Sequence, residues 1–124
     1  MQDYRKLLVW QKAHKLAVKT YELPAYLRAP EGWVMRDQIL GAAISIPSNI
    51  AEGAGRGSNP DFCRFLWYSN GSCNELENDL LIARDASLIP GGVHDEMADR
   101  VSEVRRMLTS LIQNVERPSG GTRS

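Results

Sequence analysis

The chain has 124 residues, 15 Lys and Arg against 15 Asp and Glu, and is 43% hydrophobic but only 7% aromatic. A domain of this size buries about two thirds of the surface its unfolded chain exposes, so neither a disulfide nor a metal is required to hold it folded. A net charge of zero excludes a uniformly basic nucleic-acid coat and leaves only a local basic face open.

Residues 1 to 117 read as one all-α domain, and Pro118 to Ser124, rich in Gly and Ser, as a disordered tail. Apolar residues recur at spacings of three and four in four segments, and none shows sustained period-two alternation. In the first segment Leu7, Trp10, Ala13, Ala17 and Tyr21 share a face, with Val9, Leu16 and Leu23 beside it, and Pro24 is expected to end or kink that helix. Residues 24 to 32 hold Pro24, Pro30 and Gly32 and read as a connection with a short helical turn near Tyr26.

A second helix is predicted from about Trp33 to Gly53, burying Met35, Ile39, Ala42, Ala43, Ile46 and Ile50. Pro47 lies inside it, which removes one backbone hydrogen bond and predicts a kink, with Ser45, Ser48 or Asn49 near the disrupted carbonyls. Gly53, Gly55 and Gly57 then stop the helix.

Ser58 followed by Asp61, with Pro60 between them, marks the start of the third helix. Its seam is Phe62, Leu66, Ser69, Cys73, Leu76, Leu80 and Ala83, a four-three alternation. Pro90-Gly91-Gly92 reads as the last turn. The fourth helix, opened by Asp95 and Glu96, carries Met97, Val101, Val104, Leu108, Leu111 and Val115 on a similar seam. Four helices joined by short breaker-rich loops predict an antiparallel up-down-up-down four-helix bundle with a proline-kinked second helix.

The apolar stretch after Met1-Gln2-Asp3 is interrupted by Gln11, Lys12, His14 and Lys15, and no uncharged run reaches the ~18 residues of a membrane span, so the expected location is cytoplasmic, away from a membrane. Cys63 and Cys73, ten residues apart on one helix, lie about 15 Å from each other, too far for a disulfide. Reduced thiols fit that compartment.

Charge is uneven along the chain. Residues 1 to 28 hold Arg5, Lys6, Lys12, Lys15, Lys19 and Arg28 against Asp3 and Glu22, whereas residues 57 to 99 hold eight acids against Arg64 and Arg84. The simpler reading pairs the basic first helix with the acidic third as complementary neighbours. The sharper one turns the first helix toward a phosphate backbone or an acidic partner, with Arg5, Lys6, Lys12, Lys15, Lys19 and Arg56 as binding candidates.

Catalytic chemistry finds little support. The residues three before His14 and His94 are Gln11 and Gly91, so the Glu-x-x-His pairs of a di-metal bundle are missing. There is no Cys-x-x-Cys, and no histidine stands at a suggestive spacing from Ser45 or Ser72. Gly53 to Ser58 is glycine-rich, but no strand precedes it and no Gly-Lys-Ser/Thr follows, so a helix stop is favoured over a phosphate loop. No cofactor or metal is expected. Ser45, Asn49 and Glu52 on the second helix, with Ser72 and Glu75 on the third, form a polar set that either fixes helix register or holds a ligand.

Gln38 to Gly53, containing Ser45-Ile46-Pro47-Ser48-Asn49-Ile50-Ala51-Glu52-Gly53, resembles the signature of a bacterial four-helix bundle family first noticed as reading frames inside intervening sequences of 23S ribosomal RNA genes. Leu8-Val9-Trp10-Gln11-Lys12-Ala13 resembles its opening motif, and Gly71-Ser72 with Glu75-Leu76 its third-helix motif. The resemblance implies an antiparallel protomer assembled into a homopentameric barrel without known enzymatic activity. One branch, the accessory variability determinant proteins of diversity-generating retroelements, is basic and acts with a reverse transcriptase and nucleic acid. Here Leu40-Gly41 stands where the family often has two basic residues, and the net charge is zero, which weakens the nucleic-acid reading.

The expected function is therefore a non-enzymatic homo-oligomeric scaffold or adaptor, with nucleic acid or a nucleic-acid enzyme as a candidate partner. The alternatives are a module for an unknown protein partner and, third, a small-ligand binder or enzyme built around Ser45, Asn49, Glu52 and Arg56.

Overall fold

The computed structural model describes residues 3–117; the expected tail, 118–124, lies outside the described residues. Asp3 accepts a hydrogen bond from the Arg5 amide and starts a single 3₁₀ turn, Tyr4–Lys6. Helix α1, Leu8–Thr20, follows, and the Gln11 side-chain amide donates to the Arg5 carbonyl at 2.9 Å, tying turn to helix. α1 stops well before Pro24. Tyr21 and Glu22 donate to the carbonyls three residues back, which tightens the last turn, and Pro24 sits inside a second 3₁₀ turn, Leu23–Ala25.

Helix α2, Pro30–Ala54, begins three residues earlier than the sequence suggests. Ala29 is extended and Pro30 takes the first helical position, where its fixed φ suits the helix and its missing N–H costs nothing. The breaker cluster, expected to be a connection, is thus in part a helix start. Gly32 in this first turn lets the chain fold back, since a β-carbon there would lie 3.0 Å from the Leu27 backbone. α2 runs unbroken through buried Pro47 to a C-cap at Gly55.

Helix α3, Asn59–Asp85, starts where the sequence predicts, with Ser58 Oγ accepting from the Asp61 amide at 3.3 Å. Its end carries no sequence signal. Ser87 adopts φ 60°, and the Leu88 and Ser87 amides donate to the carbonyls of Ala83 and Arg84, the paired bonds of a Schellman motif with serine where glycine is usual. Helix α4, Gly91–Glu116, then begins directly after Pro90, so Gly91 and Gly92 are helical and Asp95 and Glu96 fall in its second turn.

Each helix packs on the next and α1 packs on α4, closing the bundle and leaving α1 diagonal to α3. α1 spans about 20 Å against about 40 Å for its neighbours, and Leu23 and Leu27, both buried, fill part of the core beyond its end. All seven predicted seam residues of α3 are buried. On α4 the seam drifts: Ile112 is buried while Leu111 and Val115 are partly exposed, as a straight 3.6-residue helix requires when a 3.5-residue repeat is laid on it. On α1 the buried stripe is Val9, Ala13, Leu16, Ala17 and Thr20, so Trp10 sits at its edge and Tyr21 is exposed. Among the described residues no helix is long and apolar enough to cross a membrane.

Asp79 is the core's misfit. It faces inward on α3 with 7% exposure, and its Oδ2 has no hydrogen-bond partner. Burial, reinforced by the Glu75 charge, pushes its carboxyl above the usual aspartate range. The folded state therefore holds the Asp79 proton more tightly than the unfolded one, and stability is lost as pH rises from about 4 through the folded value. Asp79→Asn is expected to stabilise the protein at pH 7 by about 1 kcal/mol and to give no gain below about pH 4. Urea midpoints at the two pH values check this; an equal midpoint at pH 7 refutes it.

Candidate functional site

The α2–α3 contact is made close by small side chains. Ser69, fully buried, donates to the Ile46 carbonyl across the contact at 2.9 Å. About one turn further along α3 Ser45 Oγ meets Ser72 Oγ at 2.5 Å, and Ser72 reaches its own helix at the Tyr68 carbonyl, 3.2 Å away. Ser45 Oγ also lies 2.9 Å from the Ala42 carbonyl, and the Asn49 amide donates to the Ser45 carbonyl at 2.8 Å. Ser45 and Asn49 thus add side-chain donors to the carbonyls of Ala42 and Ser45, which flank Ala43, the residue whose carbonyl Pro47 deprives of its helical amide.

Of the five polar candidates, Ser45, Asn49 and Ser72 come together. Glu52 instead turns to Arg56 one helical turn on, at 3.4 Å, and Glu75 is exposed on α3. The hydroxyls meet only carbonyls and each other, none of which takes up a proton, so this geometry does not activate either serine as a nucleophile. It ties α2 to α3 through two hydrogen bonds, Ser45 to Ser72 and Ser69 to the Ile46 carbonyl.

The basic candidates do not form one face. Lys12 pairs with Glu103 at 3.2 Å, and Lys19 with Glu22 at 3.1 Å and Glu96 at 3.7 Å. Arg5 pairs with Asp3 at 3.1 Å. Among the described residues Lys6 and Lys15 have no acidic partner within 4 Å. The charge complement to α1 therefore comes from α4 and not from α3, contrary to the pairing expected from the sequence, because α1 lies diagonal to α3. One acid of α3 serves α4 instead: Arg105 makes a two-pronged pair with Glu77, both bonds 3.1 Å, while Asp61 and Asp85 pair with Arg64 and Arg84 of α3 itself.

Two surface features have no counterpart among the sequence-based expectations. Tyr4, Trp10, Val18, Tyr21, Ile44 and Pro47 line an α1–α2 groove of about 340 Å³. Within it Trp10 stacks on His14 at 4.8 Å and meets Tyr4 edge-on at 5.2 Å. Val18, Tyr21 and Ile44 are 57%, 60% and 42% exposed, a contiguous apolar surface that none of the described helices covers. The second is an aromatic and arginine-bearing pocket where α3 begins and α4 ends. Trp67 and Tyr68 lie off the α3 seam, which is the signal that finds them.

Among the described residues no group of three or more His, Cys, Asp or Glu is placed to hold a metal. Both cysteines are free. Burial pushes the Cys73 thiol up to about 12 and raises that of Cys63, so both are inert as nucleophiles near neutral pH.

With this geometry in place, the sequence model of the family described as 23S rRNA-intervening sequence protein matches residues 5–110. No curated protein matches the chain. Among solved structures, a protein of unknown function from the S23 ribosomal protein family of Bacteroides thetaiotaomicron VPI-5482 is similar at 27% identity with a TM-score of 0.80, over 86% of this chain and 99% of that one.

Proposed function

This chain belongs to the 23S rRNA-intervening sequence protein family, and on that footing we propose that it is a non-enzymatic scaffold that assembles with copies of itself in the cytoplasm, five to a ring. The observation that supports self-assembly is the uncovered α1–α2 groove. Val18, Tyr21 and Ile44 leave large apolar area in water, and burying such area drives association at about 25 cal/mol per Å² before the costs of docking. In a five-membered ring the groove of one copy would meet a different patch on the next, a head-to-tail contact. Pairing of Lys12 and Lys19 with α4 acids counts against α1 as a nucleic-acid face, so the adaptor role is assigned to the assembled ring.

Light scattering at micromolar concentration tests this. The wild type is expected at five times the 13.9 kDa chain mass, and Val18→Glu with Ile44→Glu at the mass of one chain with unchanged helicity. A wild type that stays at 13.9 kDa overturns self-assembly and leaves the groove to a different protein.

A further inference from the structure

The pocket between the start of α3 and the end of α4 holds about 690 Å³, within the range of small-ligand sites. Trp67 and Tyr68 line it with 49% and 50% of their surface exposed, and Arg64 and Arg117 flank them. Arg64 is held in place rather than loose: Asp61 binds it at 3.2 Å, and its guanidinium lies 5.0 Å from the Phe65 ring and 5.9 Å from the Tyr68 ring. Arg56 covers Phe65 from the neighbouring loop at 4.7 Å.

We propose that this pocket binds a nucleotide unit, with the base stacked on Trp67 and Tyr68 and the phosphate between Arg64 and Arg117. Two exposed aromatic faces accept any base, because every base has a π-face, and the arginines supply charge of the sign a phosphate needs. The N-terminus of α3 and the C-terminus of α4 meet at this pocket, so their dipoles largely offset one another and the charge offered to a phosphate is that of the arginines. Glu116 and Asp61 keep the local charge low. Binding should therefore rest on stacking and one or two phosphate contacts, with a shallow dependence on salt, unlike a basic tract. The site shares no residue with the α1–α2 groove.

The unit reaches the pocket either within a single strand or as a free nucleotide. Short fluorescein-labelled oligo(dT) and oligo(U) are titrated by anisotropy, and AMP and UMP by tryptophan quenching, at low and near-physiological salt. Binding is expected to weaken about tenfold or more in Trp67→Ala and in Arg64→Gln. Strand binding without mononucleotide binding identifies single-stranded nucleic acid; equal affinity for AMP or UMP identifies the free nucleotide. No binding of any probe at low salt overturns the proposal. So does binding that survives both replacements, or that is lost instead in Lys6→Glu with Lys15→Glu. Light scattering of the same variants separates this outcome from self-assembly: a binding loss with unchanged mass leaves the assembly reading untouched.

Discussion

Gly53→Leu is expected to destabilise the bundle by about 3 kcal/mol or more, and Gly53→Ala by about 1 to 3. Gly53 is buried in the last turns of α2, where it faces the start of α3. A β-carbon at this position would lie 2.8 Å from Phe65 Cβ, 3.1 Å from a Phe62 ring carbon and 3.2 Å from the Phe62 carbonyl oxygen. The first of these atoms is fixed to the backbone, so no rotamer change relieves the contact and the helices must separate. Glycine in a helix is otherwise a liability of about 1 kcal/mol relative to alanine. Gly41, on the same helix, is the control: a β-carbon there would meet no atom within 4 Å, and Gly41→Ala is expected to stabilise by up to that amount. Guanidinium midpoints should fall below the wild type for both Gly53 variants and rise above it for Gly41→Ala. A neutral Gly53→Leu refutes the close approach.

Leu66→Ala is expected to cost about 2 to 5 kcal/mol. Leu66 is fully buried on the α3 seam between Phe62 and Ser69, where its removal leaves a cavity that neighbouring helices, held apart by their own packing, fill only in part. Against a total stability of about 5 to 15 kcal/mol this is a large share. The adjacent Trp67→Ala removes a larger side chain, yet from a half-exposed position, and is expected to cost only about 1 to 2 kcal/mol. That contrast also makes Trp67→Ala usable as a binding variant, since its fold survives. Equal losses at the two positions, read from urea midpoints, would mean that Trp67 packs against the core.

The core of α3 was legible because its apolar residues repeat along one stripe, and a stripe on a helix has one place to go. Helix starts at proline were harder. Pro30 and Gly32 are breakers in a helix interior but suit its first turn, and position within an element is what a residue list leaves out. The Schellman stop at Ser87 left no trace, since serine seldom takes a left-handed conformation and here does so because Ala83 and Arg84 offer their carbonyls. Of the polar set, the meeting of Ser45, Asn49 and Ser72 at a helix contact follows from small polar residues lying where helices approach, whereas Glu52 and Glu75 point elsewhere. Asp79 was indistinguishable from its solvated acidic neighbours; only its position beside the buried stripe sets it apart.

Four helices, their chain order and most of the residues they bury are written in the chain itself, because these depend on periodicities of three to four residues along a single helix. Which charges meet is settled by packing. Lys12 and Lys19 find Glu103 and Glu96 because bundle closure sets α1 beside α4, and ion pairing acts over a few ångströms between elements distant from each other in sequence. The same closure decides that Val18 and Ile44 border one uncovered groove and that Trp67 and Tyr68 stand with Arg117 around one pocket. Apolar periodicity records whether a side chain faces inward; it carries no information about which outward-facing side chains the packing brings together.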